Sequence, residues 1–167
     1  MTGDALRIAA LPDGCLCNQA YADEVRRYNL LDPDHMTDAR EQVVVKAARP
    51  ERSTVRVTLG HGGDSLCVYV KRYRSPGIIR RLIGRLKGDL PGTGPKEFMN
   101  IVALLRAGIP VPVPIAAPVK QRGLFGRDSF LITRALEDTV RLDFLLRGQS
   151  LPFAEKRALI KNLAQLV

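Results

Sequence analysis

Lys71 sits in LCVYVKRY, Leu66 to Tyr73, a short run built around Val68 and Val70. A β-rich run of this kind reads as a strand. A plain surface strand gives no obvious reason for a long cation at that place, whereas a lysine on a strand is the group that meets the phosphates of a bound nucleotide. Glu97 follows near the start of an amphipathic segment, KEFMNIVALLRA, Lys96 to Ala107. A carboxylate beside an ammonium fixes its direction, and positioning of that kind is what phosphoryl transfer requires. Each residue also has a plainer reading. Lys71 could lay its stem along the sheet and hold its charge in water. Glu97 could simply complement a helix N-terminus.

The elements that would position this pair are legible on either side. Gln42 to Lys46 is a β-branched run. Ala47 to Arg52 (AARPER) reads as a polar, basic loop, and Ser53 to Leu59 alternates Val55 and Val57 against Thr54, Arg56 and Thr58. GHGGD, Gly60 to Asp64, reads as a hairpin turn, since adjacent glycines supply positive φ. Lys71 therefore falls on the third of three antiparallel strands. Ile78, Ile79, Leu82, Ile83 and Leu86 then recur at helical spacing, with Arg80, Arg81, Arg85 and Lys87 on the other face. Gly92 to Pro95 breaks the chain, and Gly108 ends the helix that carries Glu97. Ile109 to Val119 is rich in proline, which cannot donate to a ladder, so it reads as an edge strand or connector. Ser129 to Leu136 is a strand, Leu142 to Leu146 begins a short helix, and Leu151 to Val167 makes another. Residues 1 to 40 are weakly patterned, with a short helix expected within Ala20 to Leu31. The order is that of an α+β protein, a small antiparallel sheet carrying one main helix and followed by a helical part.

Composition limits the partners. The chain has 167 residues, enough for one domain or a little more. Its 26 Lys and Arg against 17 Asp and Glu give a net charge of +9, which favours anionic partners: a nucleotide, a phosphorylated glycan, an acidic membrane face or nucleic acid. Nucleic acid comes last, because stacking aromatics are few and no recognised motif is present. The three cysteines, Cys15, Cys17 and Cys67, form no disulfide framework. Cys15 and Cys17 alone are too few for a four-ligand zinc site. No apolar run approaches the roughly 20 residues that span a bilayer, and the N-terminus lacks a signal-peptide core. A cytoplasmic protein is expected. The basic helix at 78–87 reads as a packed helix with a solvated face, as a peripheral contact with the inner membrane surface, or as a contact with an anionic glycolipid.

The chain resembles the lipopolysaccharide kinase (Kdo/WaaP) family, relatives of protein kinases. The resemblance covers about Arg52 to Val167. It rests on R-S-T-V-R (Arg52 to Arg56), V-Y-V-K-R-Y (Val68 to Tyr73), K-E-F (Lys96 to Phe98) and L-L-R-A-G-I-P-V-P (Leu104 to Pro112), then S-F-L-I-T-R-A-L (Ser129 to Leu136) and K-R-A-L-I (Lys156 to Ile160). Their order and spacing carry the likeness. It implies a kinase-like amino-terminal lobe over residues 41–138 after an N-terminal extension at 1–40, and the hinge exit and first helices of a second lobe over 139–167. It also implies ATP with Mg2+, and phosphate transfer to a core sugar of lipopolysaccharide.

On this resemblance Lys71 is the ATP lysine and Glu97 its partner. The loop Ala47 to Arg52 lies over the phosphates, with Arg52 and Ser53 beside them, although Ser53 and Thr54 also read as ordinary strand hydroxyls. Arg134 to Asp138 is the hinge, whose backbone at Leu136 and Glu137 reads adenine. The basic loop departs from the family of protein kinases in lacking glycine. Asp143 reads as a helix residue rather than a catalytic carboxylate. No H-R-D-like or D-F-G-like sequence occurs in these residues, so the catalytic loop and the metal ligands are expected beyond Val167. The alternative is a kinase-like module that binds a nucleotide or a partner without catalysis.

Overall fold

The computed structural model describes residues 6–32, 34, 42–49, 52–62, 65–74, 93–122, 126–136 and 152–164. They fall into two units, 1–135 and 136–167, each described by itself.

The first unit is built on one antiparallel sheet. Its strands are β1 (Ile8–Ala10), β2 (Leu16–Asn18), β3 (Gln42–Arg49), β4 (Arg52–Leu59), β5 (Leu66–Tyr73), β6 (Pro114–Ala117), β7 (Val119–Arg122) and β8 (Gly126–Arg134). Their spatial order is β1-β2-β6-β8-β5-β4-β3, with β7 paired to β8. Among the described residues this unit carries the helices α1 (Ala22–Arg27) and α2 (Gly94–Arg106).

The central strands follow from local pattern. Along β4, Val55, Val57 and Leu59 are buried while Arg56 is exposed, the alternation of a strand with unequal faces. Gly60 (φ 78°) and Gly62 (φ 69°) take the left-handed conformation in the turn that follows. The hairpin is in register from Arg52↔Tyr73 to Leu59↔Leu66. β5 then pairs with β8 from Val68↔Arg134 to Tyr73↔Ser129, so the lysine strand has neighbours on both sides.

Each face of the sheet has a core. On one, Val57, Val68, Val70, Phe130 and Ile132 pack with Val25 and Leu30 of the N-terminal segment. On the other, Tyr73, Ala117 and Leu131 pack with Phe98 and Val102 of α2. Both α2 side chains are fully buried, and burying each contributes roughly 1.5–3 kcal/mol.

Four features differ from the sequence reading. The expected loop Ala47 to Arg52 is mostly strand. β3 continues to Arg49 and pairing resumes at Arg52, with register shifts between Val44 and Lys46 and between Ala47 and Arg49. Those bulges absorb the irregularity that Pro50 suggested, and they interrupt an edge strand where interruption discourages stray pairing. The proline-rich segment is not an edge. β6 lies between β2 and β8 and is wholly buried. Its prolines sit at or beyond the strand ends and serve as acceptors: Pro114 O takes a bond from Asn18 Nδ2 (3.1 Å) and Pro118 O one from Phe130 N–H (3.0 Å). The N-terminal residues extend the sheet rather than preceding it, through Leu16↔Ala117 and Cys17↔Ala116. The helix expected within Ala20 to Leu31 is only six residues, and Asn29 (φ 48°) follows its end.

The second unit contains α3 (Phe153–Ala164), preceded by Pro152, whose carbonyl accepts from Lys156 N–H (3.1 Å). The basic helix expected at 78–87 and the short helix expected at Leu142 to Leu146 lie outside the described residues. Among the described residues no helix is long and apolar enough to cross a membrane.

Candidate functional site

Lys71 lies on β5 with Thr54 of β4 and Leu131 of β8 as its cross-strand partners. That register sends its side chain to the face on which α2 packs. Nζ donates to both carboxylate oxygens of Glu97, at 2.6 and 2.9 Å. Charge-assisted bonds of this length are the strong kind. The side chains of lysine and glutamate are each 35% exposed, so the ammonium is both held and reachable.

The start of α2 fixes Glu97. Thr93 caps the helix, its hydroxyl accepting from Lys96 N–H (3.4 Å), and Pro95 occupies the first turn. Glu97 N–H donates to Thr93 O (3.0 Å), and its carboxylate lies where the helix dipole favours negative charge. Gly94 lets this end come down onto β8. A Cβ there would stand 1.9 Å from Phe130 O, and Gly94 N–H donates to Ser129 Oγ (3.0 Å). One helical turn separates that contact from the carboxylate.

Tyr73 adds a second cation to the site. It is buried, two residues beyond Lys71 on the same face and opposite Arg52 in the β4–β5 register. The Lys71 ammonium and the Arg52 guanidinium each lie 5.4 Å from its ring centre, within cation–π range. Two cations thus meet at one ring, and one of them also holds the Glu97 carboxylate. An exposed place of this charge attracts polyanions.

Of the expected site residues, the structure brings together Lys71, Glu97 and Arg52. Ser53 is not among them. It opposes Arg72, so it belongs to the other face, and Thr54 stands beside Lys71 instead. Ala135 N–H donates to Cys67 O (2.9 Å), carrying the β5–β8 ladder just past β8, and Leu136 follows it. Glu137 and Asp143 lie outside the described residues. Gly94, Ser129 and Tyr73 were not singled out from sequence. The G-T-G-P run contained a signal for Gly94, but it reads equally as a simple breaker.

The chemistry of a metal is not located here. Among the described residues no group of three or more His, Cys, Asp and Glu could hold one. Cys15, Cys17 and Cys67 are free thiols.

Comparison with known proteins agrees with this geometry. A family model described as "Lipopolysaccharide kinase (Kdo/WaaP) family" matches residues 39–167. A solved structure titled "WaaP in complex with acyl carrier protein" superposes with a TM-score of 0.52 at 21% identity, covering 96% of this chain and 55% of that one. That likeness shows the fold, α+β and kinase-like. The chain spans about half the length of that structure. No curated protein matches the chain.

Proposed function

The chain belongs to the lipopolysaccharide kinase (Kdo/WaaP) family, and we propose that it forms the ATP-binding side of a phosphotransferase acting on a hydroxyl of a lipopolysaccharide core sugar. The observation that carries this reading is the Lys71–Glu97 pair, with both carboxylate oxygens on a strand lysine that stays open to solvent. In kinase chemistry a lysine so held meets the α- and β-phosphates. Here Glu97 fixes the direction of the ammonium, and Arg52, sharing the Tyr73 ring, adds positive charge at the same place. The backbone around Leu136 and Glu137 reads adenine. A divalent ion bound with the nucleotide neutralises phosphate charge during transfer. Its ligands and the general base lie outside the residues described. The enzyme works in the cytoplasm, with 78–87 resting against the inner membrane face or the anionic glycolipid.

A second reading is a kinase-like module that binds nucleotide or a partner without transferring phosphate.

One titration addresses both. Wild type should show a saturable rise in Tm with ATP and Mg2+, and Lys71→Met should abolish it. The substitution is tolerable for folding, because a pair this exposed contributes no more than about 1 kcal/mol. Glu97→Gln should weaken the response without abolishing it, since the lysine remains but loses its anchor. Equal responses in wild type and Lys71→Met would overturn the site. Transfer of labelled phosphate to a lipopolysaccharide acceptor separates the two readings.

A further inference from the structure

Arg52 stands at the far end of the lysine face from the point where the chain leaves β8. Cys67, Tyr69, Lys71 and Tyr73 of β5 share that face, because alternate strand residues do. Ala135 N–H donates to Cys67 O (2.9 Å), so β8 gives out beside Cys67. Lys71 is four residues further along β5, about 13 Å, and Tyr73 is two beyond it. Arg52 opposes Tyr73 across the β4–β5 ladder. A nucleotide laid along this face, with its base past Ala135 and its α- and β-phosphates at Lys71, brings its terminal phosphate to Arg52. We infer, from the ATP reading of Lys71 and resting on it, that Arg52 takes the γ-phosphate and Tyr73 is the positioning residue that holds it there. The site then prefers a nucleoside triphosphate to the diphosphate.

The two cations differ in what holds them. Lys71 is gripped by both oxygens of Glu97. Arg52 is exposed, and its guanidinium lies over the Tyr73 ring, 5.4 Å from the centre. Lys71 Nζ lies at the same distance from that centre, so the two charges are no further apart than twice this length. Like charges so placed repel. The negative face of the ring attracts both and offsets part of that repulsion, and a phosphate bound between them offsets more. Lysine supplies a point charge, whereas the planar guanidinium presents a fork of donors that matches the oxygens of a terminal phosphoryl group. A diphosphate ends at the β-phosphate, which the lysine already takes, and gives that fork nothing to bind.

Tyr73 is built to hold rather than to react. It is 6% exposed and packs with Phe98, Val102, Ala117 and Leu131. Its β8 neighbour Ser129 accepts the Gly94 N–H at the start of α2. Close packing of this kind fixes a ring. The hydroxyl is buried and, among the described residues, has no hydrogen-bond partner. An unpaired buried hydroxyl costs stability. The ring is the part that meets the cations, and phenylalanine should serve as well.

The test compares ATP with ADP, each with Mg2+, by thermal-shift titration of the whole chain at constant ionic strength. Wild type should bind ATP about tenfold more tightly than ADP. Arg52→Gln should bring ATP down to the level of ADP while ADP changes less than about twofold. Tyr73→Leu should do the same, and Tyr73→Phe should keep the wild-type preference. The double variant Arg52→Gln/Tyr73→Leu should lose no more than either single change, as residues acting as one unit do. ADP binding in each variant guards against a folding defect, and Arg52→Gln, at an exposed position, decides the matter if Tyr73→Leu does not fold. Equal affinities in wild type, or equal losses of ATP and ADP in Arg52→Gln, overturn the assignment of Arg52 and leave the ATP site standing. A preference that survives Tyr73→Leu overturns the role of Tyr73. No response to either nucleotide in wild type, or responses that survive Lys71→Met, overturn the ATP reading and this assignment with it.

Discussion

At the scale of single residues, the Lys71–Glu97 pair is the less demanding part of the site, and the glycine beneath it is the more demanding. Lys71 and Glu97 are partly exposed, and long side chains can adjust. Gly94 cannot, because the atom that a side chain would meet is a backbone carbonyl of β8. Overpacking typically costs about 1–3 kcal/mol, and a clash with main chain should fall at the upper end. Gly94→Ala is therefore expected to destabilise the first unit by about 3 kcal/mol, measured by urea unfolding. It should also loosen Glu97, so that the ATP response falls even at temperatures where the variant is folded. A loss of under about 0.5 kcal/mol would show that α2 does not depend on the close approach. Lys71 and Glu97 were legible in sequence because strand alternation and helical spacing are local signals. The register was not. Whether Ser53 or Thr54 stands beside the lysine depends on a single step of pairing between β4 and β5, and that step moves a side chain to the opposite face.

At the scale of elements, the same division holds. The β4–β5 hairpin and α2 carry enough residues to show their periods, and both lie close to where the sequence places them. β1 and β2 have three residues each, too few for any alternation to register. β6 hides behind its prolines. These elements are joined by a buried side chain rather than by pattern. Asn18 is fully buried, donating to Pro114 O and accepting from Ala20 N–H (3.2 Å). Asn18→Ala leaves that carbonyl without its side-chain donor and the turn after β2 without its acceptor. Unsatisfied buried groups cost about 1–3 kcal/mol each. The variant should lose stability in that range, with faster hydrogen exchange in β2 and β6 than in β4 and β5. Uniform acceleration across the sheet would show instead that the N-terminal strands are one cooperative unit with the centre.

At the scale of the whole molecule, charge and burial oppose each other as pH rises. The net charge of +9 at pH 7 is reduced toward alkaline pH, which relieves self-repulsion. Cys17 works the other way. Burial raises its thiol above the ordinary value of 9.0, with Arg26 opposing the rise. The folded protein therefore keeps a proton that the unfolded chain gives up. Stability from this group is complete below pH 9 and is lost as pH climbs through the raised folded value. Wild type should show a fall in Tm above pH 9 that is shallower in Cys17→Ala. Parallel curves for the two proteins would remove Cys17 as the source. The seating of α2 has a mechanical consequence at this scale. Gly94 pins one end of a rod whose residues rise about 1.5 Å each, so Glu97 lies about 4.5 Å from the pin and Arg106 about 18 Å. By that geometry a tilt of about 10° shifts Glu97 by about 0.8 Å and Arg106 by about 3 Å. The helix is a lever with the lysine's partner beside its fulcrum. Any tilt of α2 would therefore be read by a distance probe at position 106 far more strongly than at the ion pair.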